Sequence, residues 1–294
     1  MEAQDSWLKE WAARIIRAET LEIEGFDKAR SEYARGLPSP GGGGKGFPFA
    51  LPRRLARAIT RVDDALAKQF LPDPKEAYAS PVERDDALGE EGYRITPRAV
   101  RQYRSRLLLR ANAECFANCR FCYRRGISGT ERGFISGDEL QRISRFLGET
   151  PEIREALISG GDPLAASDDR VLGMIRILRE SRPGLSLRIC TRAPTLMPER
   201  CTPALIRAFA SQKPISIVAH INHPIELDGE STRALCSFVD SGIPVLSQSV
   251  LLAGVNDDEN TLATLFSRLA ALGVRPYYLF QGDLAPGTSH LRAP

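Results

Sequence analysis

Residues 106–122 read Arg106-Leu-Leu-Leu-Arg110-Ala-Asn-Ala-Glu-Cys115-Phe-Ala-Asn-Cys119-Arg-Phe-Cys122, an apolar run with strand character that leads into three closely spaced cysteines. Thiolates at this spacing can hold three irons of a four-iron cluster and leave the fourth iron without a protein ligand. A structural zinc ion wants four protein ligands and announces itself with paired Cys-x2-Cys or Cys/His sets. No second pair stands nearby: Cys190, Cys201 and Cys236 are scattered singly, and His220, His223 and His290 lie far downstream. Ligand number and softness therefore favour a [4Fe-4S] cluster with one open iron, which implies chemistry at the cluster.

Downstream of Tyr103, short apolar runs alternate with longer helical patterns, as in parallel strands joined by crossover helices. The strands expected are Arg106 to Ala111, Ala156 to Ser159, Leu185 to Cys190, Ile215 to Ala219, Val245 to Ser249 and Pro276 to Phe280. Helices are expected around 136–147, 168–180, 203–211, 230–241 and 258–272. Six parallel strands are too few for a closed eight-stranded barrel, so the α/β fold class narrows to an open, partial (β/α)6 barrel with its chemistry at the C-terminal strand ends.

Upstream, residues 5 to 35 carry Trp7, Trp11, Ile15, Ile16 and Leu21 at helical spacing and predict an N-terminal helical extension. The stretch Leu37-Pro-Ser-Pro-Gly-Gly-Gly-Gly-Lys45-Gly-Phe-Pro is too rich in glycine and proline for regular structure. A helical pattern returns from Leu51 to about Phe70, and the polar stretch from Leu71 to Pro97 reads as surface loop. Three units result: 1–47, helical segment and Gly-rich loop; 48–102, helical and loop lead-in; 103–294, barrel.

The chain of 294 residues is 43% apolar and 26% charged, enough to bury a large core. A net charge of +3, with basic runs such as Arg98 to Arg110 explained as a solvated or phosphate-binding face, makes no case for nucleic acid. The N-terminus is charged throughout and no apolar run approaches twenty residues, which predicts neither signal peptide nor membrane span and a cytoplasmic protein. Six cysteines then fit a cluster plus three free thiols better than disulfides.

Polar residues gather at the predicted strand ends: Ser159-Gly-Gly-Asp162 after the second, Thr191 and Arg192 after the third, His220, Asn222 and His223 after the fourth, Gln248 after the fifth. The paired glycines let backbone approach a ligand closely. Any one of these residues has ordinary hydrogen-bonding work to do; in succession above a cysteine cluster they outline a polar ligand pocket.

The cysteine run, with Phe121 before its third cysteine, resembles the radical S-adenosylmethionine superfamily. Within it, SGGDPL, TRAPTLMPERCTPALI, HINHPIEL, QSVLLAGVND and RPYYLFQGDLAPGTSHLRAP resemble the lysine 2,3-aminomutase group, in order and nearly without insertion from about Tyr103 to Pro294. The resemblance implies a partial radical S-adenosylmethionine barrel. In it Cys115, Cys119 and Cys122 bind the cluster, and S-adenosylmethionine chelates the open iron and is cleaved by one electron to a 5′-deoxyadenosyl radical. The electron donor would be of flavodoxin or ferredoxin type. Ser159, Gly160, Gly161 and Asp162 would hold the methionine moiety, Thr191, His220 and Gln248 the nucleoside, and Phe121 would pack near the adenine. Pyridoxal 5′-phosphate would carry the migrating amino group, with Tyr103 and Arg106 at its phosphate. A small-molecule amino acid would be the substrate, its carboxylate on Arg124 and its distal amine on Asp283. Members associate as oligomers, so a homo-oligomer is an expectation.

Three departures stand out. Gln102 replaces an expected phosphate arginine, for which Arg101 or Arg104 could compensate. Pro38 stands where a second substrate aspartate would precede the glycine run. The family's Pro-Gly-Gly-Gly-Gly-Lys string, whose lysine bonds the cofactor aldehyde, follows the barrel in other members; here Pro40 to Lys45 precedes it. Lys45 is then either a relocated cofactor lysine or a linker lysine. The alternatives to an aminomutase are a pyridoxal-independent radical enzyme on the same barrel (an epimerase, a dehydrogenase or a peptide-modifying enzyme) and a non-catalytic paralogue.

Overall fold

The computed structural model describes residues 47–78, 80–126 and 132–294, together with the pair Ile15–Ile16. In chain order the strands are β1 (Ile15–Ile16), β2 (Leu51–Pro52), β3 (Arg94–Thr96), β4 (Ala99–Tyr103), β5 (Arg106–Asn112), β6 (Glu155–Gly160), β7 (Ser186–Thr191), β8 (Ile215–His220), β9 (Val245–Val250) and β10 (Arg275–Phe280). The helices are α1 (Arg53–Ala58), α2 (Ala65–Phe70), α3 (Gly137–Glu149), α4 (Asp168–Ser181), α5 (Ala193–Leu196), α6 (Pro203–Ala210), α7 (Gly229–Asp240) and α8 (Glu259–Ala271).

Strands β5 to β10 are parallel neighbours in sequence order, with β4 and β3 added antiparallel at the β5 edge. The order is linear, so β3 and β10 remain edges and the sheet is an open partial barrel. Alternation along each strand sorts its side chains. Leu107, Leu109, Ala156, Ile158, Leu187, Ile189, Ile215 and Ile217 join the core with Ile143, Leu147, Ile175, Leu178, Phe209, Phe238, Leu265 and Leu269 of the covering helices. The alternate residues, among them Arg110, Ser159, Arg188, His220 and Gln248, line the concave face. Helix starts are fixed locally: the side chains of Ser136, Thr202, Asp228 and Asp258 accept from backbone N–H groups in the first turns of α3, α6, α7 and α8.

The six parallel strands and the five longer helices agree with the sequence pattern to within a residue or two. Three details differ. The helical pattern of 51–70 is broken into α1 and α2, because the Asp64 carboxylate accepts from the backbone N–H groups of Thr60 and Arg61 and folds a turn there. The stretch read as loop up to Pro97 contains β3, turned back onto β4 and tied to α3 by Glu139, which accepts from Thr96 Oγ1 and Arg98 N. Ile15–Ile16, expected in a helix, pairs antiparallel with Leu51–Pro52; the rest of that expected extension lies outside the described residues. Among the described residues no helix is long and apolar enough to cross a membrane.

Candidate active site

The three cysteines occupy the loop leaving the C-terminal end of β5. Two arginines, Arg120 inside the motif and Arg125 just after it, hold this loop in place. Arg120, fully buried, donates to Glu76 through Nε at 2.7 Å and to the Pro48 carbonyl at 3.0 Å. Arg125 donates to Glu76 Oε2 at 2.5 Å, to the Arg120 carbonyl at 3.0 Å and to the Gly287 carbonyl at 2.8 Å. Both guanidiniums lie 4.7 Å from the Phe47 ring. Burial alone would push the Glu76 carboxyl up, but the two arginines outweigh it and hold it below the usual carboxylate range.

The end of β6 presses against the same loop. Gly160 has φ +116°, and a Cβ there would sit 2.3 Å from the Asn112 carbonyl oxygen; at Gly161 it would sit 2.4 Å from the Glu114 oxygen and 2.9 Å from Cys115 Sγ. Only glycine allows the two segments to meet. The Gly161 and Asp162 N–H groups are spent on this contact, donating to the Asn112 and Glu114 carbonyls at 2.6 and 2.7 Å. The Asp162 carboxylate is likewise engaged within the protein, accepting from Thr191 Oγ1 at 2.7 Å, Arg192 N at 2.8 Å and Leu164 N at 2.9 Å. Burial still raises its pKa. Asp162 and Thr191 thus bracket the ends of β6 and β7.

The thiols are free and partly buried. Burial first, and the neighbouring thiols second, push Cys115 well up and Cys122 up to about 11. Metal binding would have to displace those protons, and Arg124 and Arg125 favour the resulting negative charge. Arg192 Nη1 donates to Cys119 Sγ at 3.0 Å. Among the described residues no three His, Cys, Asp or Glu side chains converge on a single metal ion. A four-iron cluster makes a different demand, since each thiolate binds its own iron at a separate corner. Three thiols in one loop, a glycine surface against one sulfur and a buried cation at another fit that group.

Beside the loop, the Phe121 ring lies 5.5 Å from the His220 ring. Burial and the nearby Arg192 push His220 down to about 3, so its imidazole is neutral at pH 7. Nε2 meets the Asn222 Oδ1 carbonyl at 3.0 Å and therefore carries the hydrogen, leaving Nδ1 to accept from Gln248 Nε2 at 3.4 Å. Phe121, His220 and Gln248 form one uncharged wall, a surface suited to a nucleoside.

Arg124 donates through Nη2 to Glu90 at 3.0 Å and through Nη1 to the Gly160 carbonyl at 3.2 Å, with Ser159 Oγ at 3.5 Å. Asp283 shares this field: burial and Glu90 raise its pKa, while Arg124 opposes them. Arg124, Ser159 and Asp283 are therefore brought together with the cysteines. Tyr103 and Arg106 are not. They sit at the opposite end of β5, six residue steps or roughly 20 Å away. Arg106 Nε pairs with Glu155 at 3.0 Å, and Glu155 is shared with Arg188 at 2.6 Å. Among the described residues the Arg188 Nη1 atom is buried without a hydrogen-bond partner, while Tyr277 and Tyr278 lie beside the same guanidinium. Arg101 donates to the Arg104 carbonyl at 2.9 Å, and both line an edge concavity of about 470 Å³ with Gln102 and Tyr103. Lys45 lies outside the described residues.

No family model matches the chain. A protein of Treponema pallidum (strain Nichols) whose name contains L-lysine 2,3-aminomutase is 46% identical over 240 residues, which cover 82% of this chain and 68% of the relative. The chain belongs to the lysine 2,3-aminomutase family. L-lysine 2,3-aminomutase of Escherichia coli (strain K12) is 37% identical over 253 residues, 83% of this chain and 72% of the relative. That of Acetoanaerobium sticklandii is 36% identical over 236 residues, 80% of this chain but 57% of the relative, so the chain spans little more than half of that protein. A solved structure titled "Native anSMEcpe with bound AdoMet" aligns with a TM-score of 0.45 at 14% identity, over 58% of this chain and 50% of that one, a likeness too slight to argue from.

For this lysine 2,3-aminomutase family member the sequence reading missed the residues that support the site: Glu76, Glu90, Arg120, Arg125, Glu155, Arg188 and Glu226. The available signal was an excess of arginines inside and after the cysteine run. Their acidic partners lie tens of residues away, and of these Glu226 alone falls within a quoted motif, HINHPIEL.

Proposed function

We propose that the protein is a radical S-adenosylmethionine amino acid 2,3-aminomutase acting on a small-molecule amino acid. When bound, the iron–sulfur cluster and S-adenosylmethionine supply a carbon radical that takes a hydrogen atom from substrate, and pyridoxal phosphate carries the migrating amino group.

Cys115, Cys119 and Cys122 would bind three irons. Gly160 and Gly161 would form the floor beneath the cofactor, with Asp162 and Thr191 keeping that floor in place. The wall of Phe121, neutral His220 and Gln248 would receive the nucleoside without adding charge. Arg124, already held by Glu90 and the Gly160 carbonyl, would bind the substrate carboxylate through its remaining guanidinium hydrogens, with Asp283 facing the distal amine. Tyr103 and Arg106, joined by Arg188, would hold the phosphate, and Lys45 would bond the cofactor aldehyde. An electron donor of flavodoxin or ferredoxin type would complete the system.

The observation that carries this reading is a single loop that bears three thiols and Phe121, with the Cys115 sulfur against Gly161 and the Phe121 ring beside His220. Its test is anaerobic reconstitution with iron and sulfide, then incubation with dithionite, S-adenosylmethionine and single amino acids. The expected products are 5′-deoxyadenosine and an isomer of unchanged mass; reconstituted protein that never cleaves S-adenosylmethionine overturns the reading. The pairing of Arg106 with Glu155 and the presence of Gln102 favour a second reading, a pyridoxal-independent radical enzyme. Deoxyadenosine formation with no pyridoxal phosphate bound, and no absorbance change in Lys45→Ala, would select it.

A further inference from the structure

Arg192 follows the last residue of β7 and is buried, though neither substrate nor cofactor binding assigns it a task. Its Nη1 hydrogen points at Cys119 Sγ, 3.0 Å away. Its Nη2 donates to Glu226 Oε2 at 2.6 Å and to Gln69 Oε1 at 3.2 Å. Glu226 and Gln69 are themselves fixed: Glu226 Oε1 accepts from Asn222 N at 2.9 Å and from Gln69 Nε2 at 3.3 Å, and Gln69 Oε1 accepts from Asn222 Nδ2 at 3.0 Å. The guanidinium lies 5.0 Å from the Phe70 ring and 5.6 Å from the Phe121 ring. Its backbone N–H is anchored on Asp162 at 2.8 Å. Four elements of the fold thus aim one cation at one sulfur.

Resting on the cluster reading above, we propose that Arg192 sets the reduction potential of the iron–sulfur centre through its N–H···S bond to Cys119. The potential of such a centre follows its net charge, the hydrogen bonds to its sulfurs and its exposure to solvent. Taking up one electron places additional negative charge on the iron and sulfur atoms. A permanent cation donating to a ligand sulfur in a water-poor interior favours that reduced form and moves the potential upward. Glu226 sits on the far side of the guanidinium, where it braces Arg192 and cancels part of its field. The step is one-electron transfer from dithionite to the cluster; no bond forms or breaks, and the proton stays on Arg192.

The test is a dithionite titration of reconstituted protein without S-adenosylmethionine, followed by spin resonance, with iron counted in each sample. Arg192→Met keeps bulk and removes donor and charge. At a fixed ambient potential its ratio of reduced to oxidised cluster should fall at least about tenfold, a shift of roughly 59 mV to more negative values for one electron. Arg192→Lys keeps the charge and should recover part of that shift. Glu226→Gln leaves Arg192 in place with its countercharge removed, and should shift the potential the other way. A purely packing role would move thermal stability without this ordered pattern. Fully loaded Arg192→Met and Glu226→Gln proteins with the wild-type potential overturn the proposal, as does a failure of both variants to take up iron. Wild-type protein that never takes up four irons sinks the cluster reading itself and this proposal with it.

Discussion

The two ends of the parallel sheet are built on different terms. At the C-terminal end nearly every polar group near the cysteines is bonded to another part of the protein: Asp162 to Thr191, Arg124 to Glu90, Arg120 and Arg125 to Glu76. At the other end Arg106 and Arg188 share Glu155, Arg188 Nη1 has no hydrogen-bond partner among the described residues, and Tyr103 is 61% exposed. The first end is organised in advance of any ligand, so single substitutions there should break it. The second carries surplus positive charge, so substitutions there should retune it.

The largest expected effect is at the cysteines. Cys119→Ser should lower bound iron and abolish deoxyadenosine formation to background in anaerobic assays, and retention of full iron would remove Cys119 from the ligand set. Next is Glu76→Gln, which leaves two buried guanidiniums without their carboxylate and should cost about 3–5 kcal/mol in denaturant unfolding of the metal-free protein. The same group sets a pH dependence. Its folded pKa is lowered, so its stabilisation is complete above the unfolded value, about 4.3, and fades as pH falls through the folded value. The wild type should therefore lose stability in acid more steeply than Glu76→Gln, and parallel acid melts would refute the assignment.

A smaller loss is expected from Gly161→Ala, whose Cβ would meet Glu114 and Cys115. Overpacking of this kind costs about 1–3 kcal/mol and should lower the melting temperature by roughly 2–4 °C for each; an unshifted melt would mean the loop yields. The smallest effect should come at the other end. Glu155→Gln removes the one carboxylate between two arginines and should tighten pyridoxal phosphate a few-fold by absorbance titration, whereas weakened binding would show that Glu155 is needed to position them.

The sequence disclosed what is local. Strands β5 to β10 were legible because apolar alternation between helices of ordinary length leaves few other folds, and the grouping of Cys115, Cys119 and Cys122 in one loop follows from their spacing alone. The strand-end positions of His220 and Gln248 could be read from the pattern, whereas placing Phe121 with them rested on the resemblance of the cysteine run to the radical S-adenosylmethionine superfamily. Partnerships across the chain could not. Nothing near Glu90 marks it as the partner of Arg124, and Arg192 lay in plain view in a quoted motif while the Cys119 sulfur it addresses is 73 positions earlier. The hairpin of β3 and β4 was missed because Pro97 and a run of charges hide two very short strands.

The Arg125 hydrogen bond to the Gly287 carbonyl spans 162 positions, across which the chain lays down β6 to β10. A nascent chain that has emerged only as far as β10 would therefore hold its cysteine loop through Glu76 and Pro48 but without this last contact. The last of the contacts that shape the cysteine loop thus closes only when the tail beyond β10 has joined the fold.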